Sequence, residues 1–321
     1  MLYPLRFEPI LRQYLWGGRR LETVLGKTLG SGDKYAESWE VVDHGEDQSV
    51  VRFGPLAGKT LQELVKDHGP SLFGRHNPQA PFPLLFKFLD AQRDLSVQVH
   101  PNDDQAARLD PPDLGKTEAW VILDAQPGSK IYCGLKPGVD RSDLADAVAQ
   151  GTTESCLHQI EPSVGDCLFI PAGTVHALGA GLLVAEIQQA SDTTFRLFDW
   201  NRVGDDGKPR PLHIDEALRV IDFDAEPVNC QQPVPTEDPA RSELVRCEKF
   251  VLDRWSIDKP VALPDVSSFH LLAVLSGSIA VEQDPVDRPL AMGNSLLIPA
   301  SAAGLSMIPR EPSVVLDVYL P

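Results

Sequence analysis

Four side chains in the middle of the chain have the types and spacing of a metal site. Gln98 and His100 lie in LSVQVHP, Glu118 in GKTEAWVIL, and His176 in PAGTVHALG. The alternation in LSVQVH implies a strand, in which residues two apart share a face. Gln98 and His100 would then point the same way as Ser96, while Val97 and Val99 enter apolar packing. Glu118 opens a second strand-like run, and His176 ends a third. Imidazole together with carboxylate suits a borderline cation such as zinc, at roughly 2.0–2.2 Å per bond. Rigid strands that leave room for water or substrate are what a catalytic centre of that kind requires. Each residue alone also has a plainer reading. A single histidine is as a rule structural or solvated, a glutamine a hydrogen-bonding partner, a glutamate an edge charge. The pattern they form together carries the metal reading.

The elements that must position these residues are mostly strands. Short apolar or alternating runs recur: SWEVVDH, PLLFKFLD, LSVQVH, AWVILDA, CLFIPA and LLVAEIQQ. Helical spacing is confined to LQELVKDHG, RSDLADAVAQG and IDEALRVID, with glycine expected to end the first two. A boundary is expected within residues 225–243, where Pro, Gln and acids accumulate without periodicity. One internal echo stands out. GDCLFIPAGTVH (165–176) and GNSLLIPASAAG (293–304) share G-x-x-L-x-I-P-A, and AWVILDAQPGS has a weaker counterpart in HLLAVLSGSIA. This points to two copies of one β-module. Gly304 stands where the first copy has His176, so the second copy is expected to lack a metal site.

Composition narrows the function. The chain of 321 residues carries 29 Lys and Arg against 46 Asp and Glu, a formal net charge of −17. Such a surface repels phosphate backbones and anionic lipid, which argues against nucleic-acid and membrane partners. An anionic substrate would need its own basic pocket. The five cysteines are scattered, with no C-x-x-C pair, as expected for reduced thiols in a cytoplasmic protein. The N-terminus has no secretory-signal pattern, and no apolar run is long enough to span a bilayer. No Walker-type loop or Gly-rich dinucleotide fingerprint supports nucleotide chemistry. Protein partners are not legible.

Gly165, Pro171, Gly173 and His176 reproduce the spacing of the second motif of the cupin superfamily, except that Ala180 replaces its trailing Asn. LSVQVHP, GKTEAW and PAGTVHALG, preceded by YLWGGRRL and ESWE and followed by SDTTFRLFDWNR and PLHIDEAL, together resemble the type I mannose-6-phosphate isomerases, in particular their short bacterial form. The resemblance covers residues 3–223 firmly. It implies a mainly β fold of two cupin-type (jelly-roll/β-barrel) modules with helical insertions. The catalytic cupin domain would occupy residues 1–235 and a degenerate cupin-like domain residues 236–321. The helices near 61 and 141 would cap the pocket or cover a sheet edge.

The resemblance also implies roles. His100, Glu118 and His176 would hold one zinc ion, with Gln98 a fourth ligand or a close neighbour of the site. Arg196 matches the family's active-site arginine, and Lys116 and Glu186 match other pocket residues, with Glu186 favoured over Lys116 as proton shuttle. Ser96 and Arg202 suit the phosphate end of a small phosphorylated sugar, and Trp16 the sugar pocket. The implied reaction interconverts mannose 6-phosphate and fructose 6-phosphate through an enediol-type intermediate. Two alternatives stand beside it: a metal cupin acting on another sugar phosphate, or a sugar-sensing cupin without turnover.

Overall fold

The computed structural model describes residues 2–204, 207–264, 266–302 and 304–321. The apolar runs of the first half form two antiparallel sheets. One has six strands in the order Cys167–Ile170, Glu118–Ala125, Leu182–Gln189, Leu84–Ala91, Tyr35–Val41 and Ile10–Gly18. The other has five: Leu157–Ile160, Ile131–Leu135, His176–Leu178, Val97–Val99 and Phe195–Phe198. They face each other as a cupin barrel. Leu89, Trp120, Ile122 and Val184 of the first sheet meet Ile131, Cys133 and Leu178 of the second in one apolar cluster.

Period-two geometry explains why the six-stranded sheet reads as nearly continuous hydrophobic sequence. Its other face, through Phe86, Phe88, Val121, Ala185 and Ile187, packs against Leu252, Leu271, Ala273, Leu316 and Val318 of the C-terminal half. Buried on both sides, these strands need apolar residues at every position. The few polar residues inside them are therefore informative. Lys87, Glu118 and Glu186 fall at the inward-facing positions, together with Trp120.

Strands from Val234 onward form two sheets of their own, one of six strands and one of four. The Pro- and Gln-rich segment before them is not a free linker. Val228 N–H donates to Cys133 O at 3.3 Å and Gln231 N–H to Cys167 O at 2.7 Å, so the segment straps the first barrel.

Two helical expectations need correction. The helix starting at Leu61 does not stop at Gly69. The chain kinks at His68 and continues through Pro70 to Phe73, because Leu72 and Phe73 are buried in the contact between the two halves. The Thr60–Glu63 capping box fixes its start. Neither this helix nor Arg141–Gln150 lines the catalytic cavity: the first packs between modules, and the second packs beneath the Val97–Val99 strand.

The sequence echo has a counterpart in register. Ile170 pairs with Glu118 in the first module, and Ile298, its equivalent in the shared motif, pairs with His270 in the second. Glu186 lies opposite Trp120 and Lys87; Asp317 lies opposite Leu272 and Asp253. His270, Asp317 and Asp253 thus occupy the places of Glu118, Glu186 and Lys87. There the polar cluster closes on itself. His270 Nδ1 is 2.9 Å from Asp317 Oδ1, and Nε2 is 3.0 Å from Pro264 O. An imidazole with an acceptor at each nitrogen is held as the cation. Burial alone would lower the His270 pKa, but Asp317 reverses this and raises it. Burial, reinforced by Asp317, pushes Asp253 up to about 6.

A raised histidine pKa stabilises the fold below the unfolded value of ~6.5 and loses that contribution as pH climbs through the folded value. His270→Gln should therefore destabilise the protein most at low pH. Breaking a buried pair costs ~3–5 kcal/mol, and the deficit should shrink at alkaline pH. Thermal melts of both proteins across the pH range measure it, and a deficit independent of pH would contradict the imidazolium assignment.

Candidate active site

Three of the four expected ligands converge at one end of the first barrel. One donor atom each from His100, Glu118 and His176 lies within 4.8 Å of the others, and all three residues are buried. The strands bring them there directly: Gln98 and Cys133 flank His176 in the five-stranded sheet, and Glu118 opens its strand opposite Ile170. His176 Nε2 is 3.2 Å from Glu118 Oε1, and His100 Nε2 is 3.7 Å from Glu118 Oε2.

The outer ring nitrogens fix which nitrogen faces inward. His100 Nδ1 is 2.9 Å from Thr193 O, and His176 Nδ1 is 2.9 Å from Thr174 O. Each Nδ1–H is thereby committed to a carbonyl, and each Nε2 turns its lone pair inward, that of His100 facing Lys116 Nζ at 3.2 Å. Burial, aided by the Lys116 cation, holds His100 well below the usual histidine range, and burial brings His176 down to about 4. Both rings are neutral, as metal ligands must be.

Glu118 is the sharpest indicator. Both carboxylate oxygens are buried, and among the described residues their near polar neighbours are the Lys116 ammonium and the two imidazoles. Burial pushes its pKa up to about 7, against the opposing pull of Lys116, whose Nζ is 3.1 Å away. Two neutral imidazoles and a carboxylate with free lone pairs fit a divalent cation. Gln98 Nε2 stands 3.4 Å from His176 Nε2. A half-turn of the amide would present Oε1 there instead, so Gln98 suits a ligand or a neighbour of one.

Beside this cluster is a cavity of about 290 Å³. Ser96, Gln98, Lys116, Glu186, Arg196 and Trp16 all line it, as expected from sequence. Arg202 does not. Its guanidinium is tied to Asp199 at 2.8 Å and to the carbonyl of Asp94, and Arg210, itself paired with Asp199, reaches the cavity instead. The Arg196 Nη1 donates to Pro211 O at 2.8 Å, while its Nε is buried without a hydrogen-bond partner among the described residues.

Sequence reasoning missed Lys87. Its Nζ lies 3.1 Å from Glu186 Oε1 and 3.6 Å from Glu37 Oε2, fully inside the barrel mouth. Burial would lower its pKa, but the two carboxylates outweigh that and raise it. Glu186 is driven the other way. Burial favours its neutral form, yet Lys87 and Lys116 lower its pKa, so it is ionised. The signal for Lys87 was present: one lysine flanked by apolar residues in PLLFKFL. Glu37, Tyr14 and Asp192 also line the cavity and were not singled out.

Two cupin barrels with a His–Glu–His cluster beside a polar cavity in one of them define a metal-dependent cupin enzyme. Residues 5–119 match the catalytic domain of type I phosphomannose isomerase. The chain is 37% identical over 303 residues to a probable mannose-6-phosphate isomerase of Bacillus subtilis, GmuF, spanning 94% of each. It is 36% identical over 300 residues to the mannose-6-phosphate isomerase ManA of the same organism, across 92% of this chain and 93% of that one. The solved structure of a B. subtilis mannose 6-phosphate isomerase superposes with a TM-score of 0.91 at 29% identity, covering 99% of this chain and 100% of the other. The chain belongs to the type I mannose-6-phosphate isomerase family.

Glu118→Gln removes the only anionic donor of the cluster while keeping its shape. Its affinity for a divalent metal ion should fall by more than the ~10–100-fold typical of losing an outer partner of a ligand. Titration against a chelating indicator measures this, and unchanged affinity would place the metal elsewhere.

Proposed function

We propose that this protein is a zinc-dependent isomerase that interconverts mannose 6-phosphate and fructose 6-phosphate. The observation that carries the reading is the buried His100–Glu118–His176 cluster beside a cavity that also holds Lys116, Glu186 and Arg196. His100, Glu118 and His176 would hold one zinc ion per chain, with Gln98 beside them. When bound, zinc acts as a Lewis acid on the substrate oxygens at C1 and C2.

The chain's own residues do the rest. Moving hydrogen between C1 and C2 requires removing a weakly acidic C–H proton, giving an enediol-type intermediate. Glu186 is the base. Lys87 and Lys116 keep it ionised, which also makes it weakly basic. The carbon acid must therefore be activated by positive charge before the proton leaves. Arg196 supplies such charge at the cavity wall at any working pH. Lys116, 3.1 Å from Glu118 and 3.2 Å from His100, adds an ammonium on the metal side and is the rival shuttle. Glu186 returns the carbon-bound proton to the neighbouring carbon, and the hydroxyl proton lost at O2 is regained at O1, so no net proton is consumed.

Substrate binding falls to the other lining residues. Trp16, stacked on Tyr14 at 5.6 Å, offers an apolar face to the sugar. Ser96 and Arg210, which line the cavity, would take the phosphate; Arg202 would act there only through Asp199, which holds both arginines. No helix among the described residues is long and apolar enough to cross a membrane. The five free cysteines fit a reducing cytoplasm.

A coupled assay for fructose 6-phosphate formed from mannose 6-phosphate tests the reading. Activity should disappear on chelation and return with zinc; zinc-loaded protein without turnover would sink it. Glu186→Gln should lower kcat by ~10²–10⁴-fold with zinc content retained. Full turnover in that variant would move the base to Lys116.

A further inference from the structure

The isomerase reading leaves one large buried side chain without a role, although it touches both halves of the chemistry. Trp120 is 2% exposed, lies two residues beyond Glu118 on the same inward face, and lines the cavity. Its Nε1–H donates to Glu186 Oε2 at 2.9 Å. Its ring meets the His176 imidazole edge to face, with centroids 5.4 Å apart and planes at 81°.

The carboxylate of Glu186 has two partners that act differently. Lys87 lies 3.1 Å from Oε1, near enough for an ion pair and a charge-assisted hydrogen bond from any of its three rotatable protons. An ammonium at that distance attracts the charge from many directions and fixes no plane. The indole N–H is directional, and it belongs to a ring wedged in the barrel core that cannot swing away. Register reinforces this, because Glu186 and Trp120 are cross-strand partners. In the second barrel the corresponding partner of Asp317 is Leu272, which has no donor. There the indole donor comes from another strand, Trp255 Nε1–H to Asp317 Oδ2 at 3.4 Å, and His270 at Oδ1 closes the cluster.

Resting on the isomerase reading, we propose that Trp120 is a positioning residue for the proton transfer: its N–H sets the plane of the Glu186 carboxylate, while its ring buttresses His176. Lys87 supplies the charge that keeps Glu186 ionised, and Trp120 supplies the direction. One side chain thus ties the base to a metal ligand, so that the proton acceptor and the Lewis-acid site keep one geometry relative to a bound sugar.

The decisive variant replaces Trp120 by 3-benzothienylalanine, in which sulfur takes the place of N–H and ring size is kept; Trp120→Phe accompanies it. In the sulfur variant, zinc content and KM for mannose 6-phosphate should stay within about twofold of wild type. Its kcat should fall by about 10- to 100-fold, the range for losing one hydrogen bond to a charged group. The kinetic isotope effect with substrate deuterated at C2 should rise, because proton transfer becomes slower relative to the other steps. A purely structural role would lower active fraction without changing the isotope effect. Unchanged kcat and isotope effect in the sulfur variant would overturn the proposal. A crystal structure of that variant reads the geometry itself. Glu186 in its original orientation would overturn the proposal whatever the turnover, whereas zinc-loaded wild type without turnover would sink only the isomerase reading.

Discussion

A carboxylate sealed from water is costly to keep ionised, and Glu118 is such a group. Its neighbours are arranged around that cost. Two imidazoles, each anchored through Nδ1 to a carbonyl, turn their lone pairs toward it, and one ammonium stands against it. Lone pairs directed at a buried carboxylate repel it unless a cation lies among them. The architecture of the site follows from meeting that requirement. Strands hold the donors rigidly, the barrel wall excludes water, and Lys116 offsets part of the negative charge.

The second module shows the other way to satisfy the same positions. At the register places of Glu118, Glu186 and Lys87 it carries His270, Asp317 and Asp253, and the imidazolium supplies the positive charge from within the chain. That solution draws its positive charge from the chain and occupies both ring nitrogens of His270. The two barrels then pack through the apolar faces of their six-stranded sheets. The catalytic sheet is thereby supported from behind. Lys87, Glu118, Trp120 and Glu186 project from strands that have no freedom to shift.

Legibility followed the physics of each residue. His100 and Gln98 could be placed together because strand periodicity alternates faces, and His176 because Gly165, Pro171 and Gly173 form a recognisable turn. The strands that carry Lys87 and Trp120 are buried on both faces, so alternation is erased and their inward positions could not be told from outward ones. Trp120 declared itself only in three dimensions, and Lys87 showed in the sequence as an odd charge whose direction the strand could not give. Arg202 and Arg210 illustrate a different limit. Both pair with Asp199, and Arg210 is the one that lines the cavity, a choice that sequence spacing does not encode. The helix beyond Gly69 was hidden for a similar reason. Tertiary burial of Leu72 and Phe73 carries the chain past a residue that would end an isolated helix.

The central claim is that one metal ion sits among His100, Glu118 and His176 and that zinc is the ion the enzyme uses. Anomalous diffraction from crystals of fully active protein, collected on either side of the zinc absorption edge, tests this most directly. The account expects a single strong peak within bonding distance of His100 Nε2, His176 Nε2 and a Glu118 oxygen, present above the edge and lost below it. Active crystals with no peak there, or with the peak at another cluster, would contradict it.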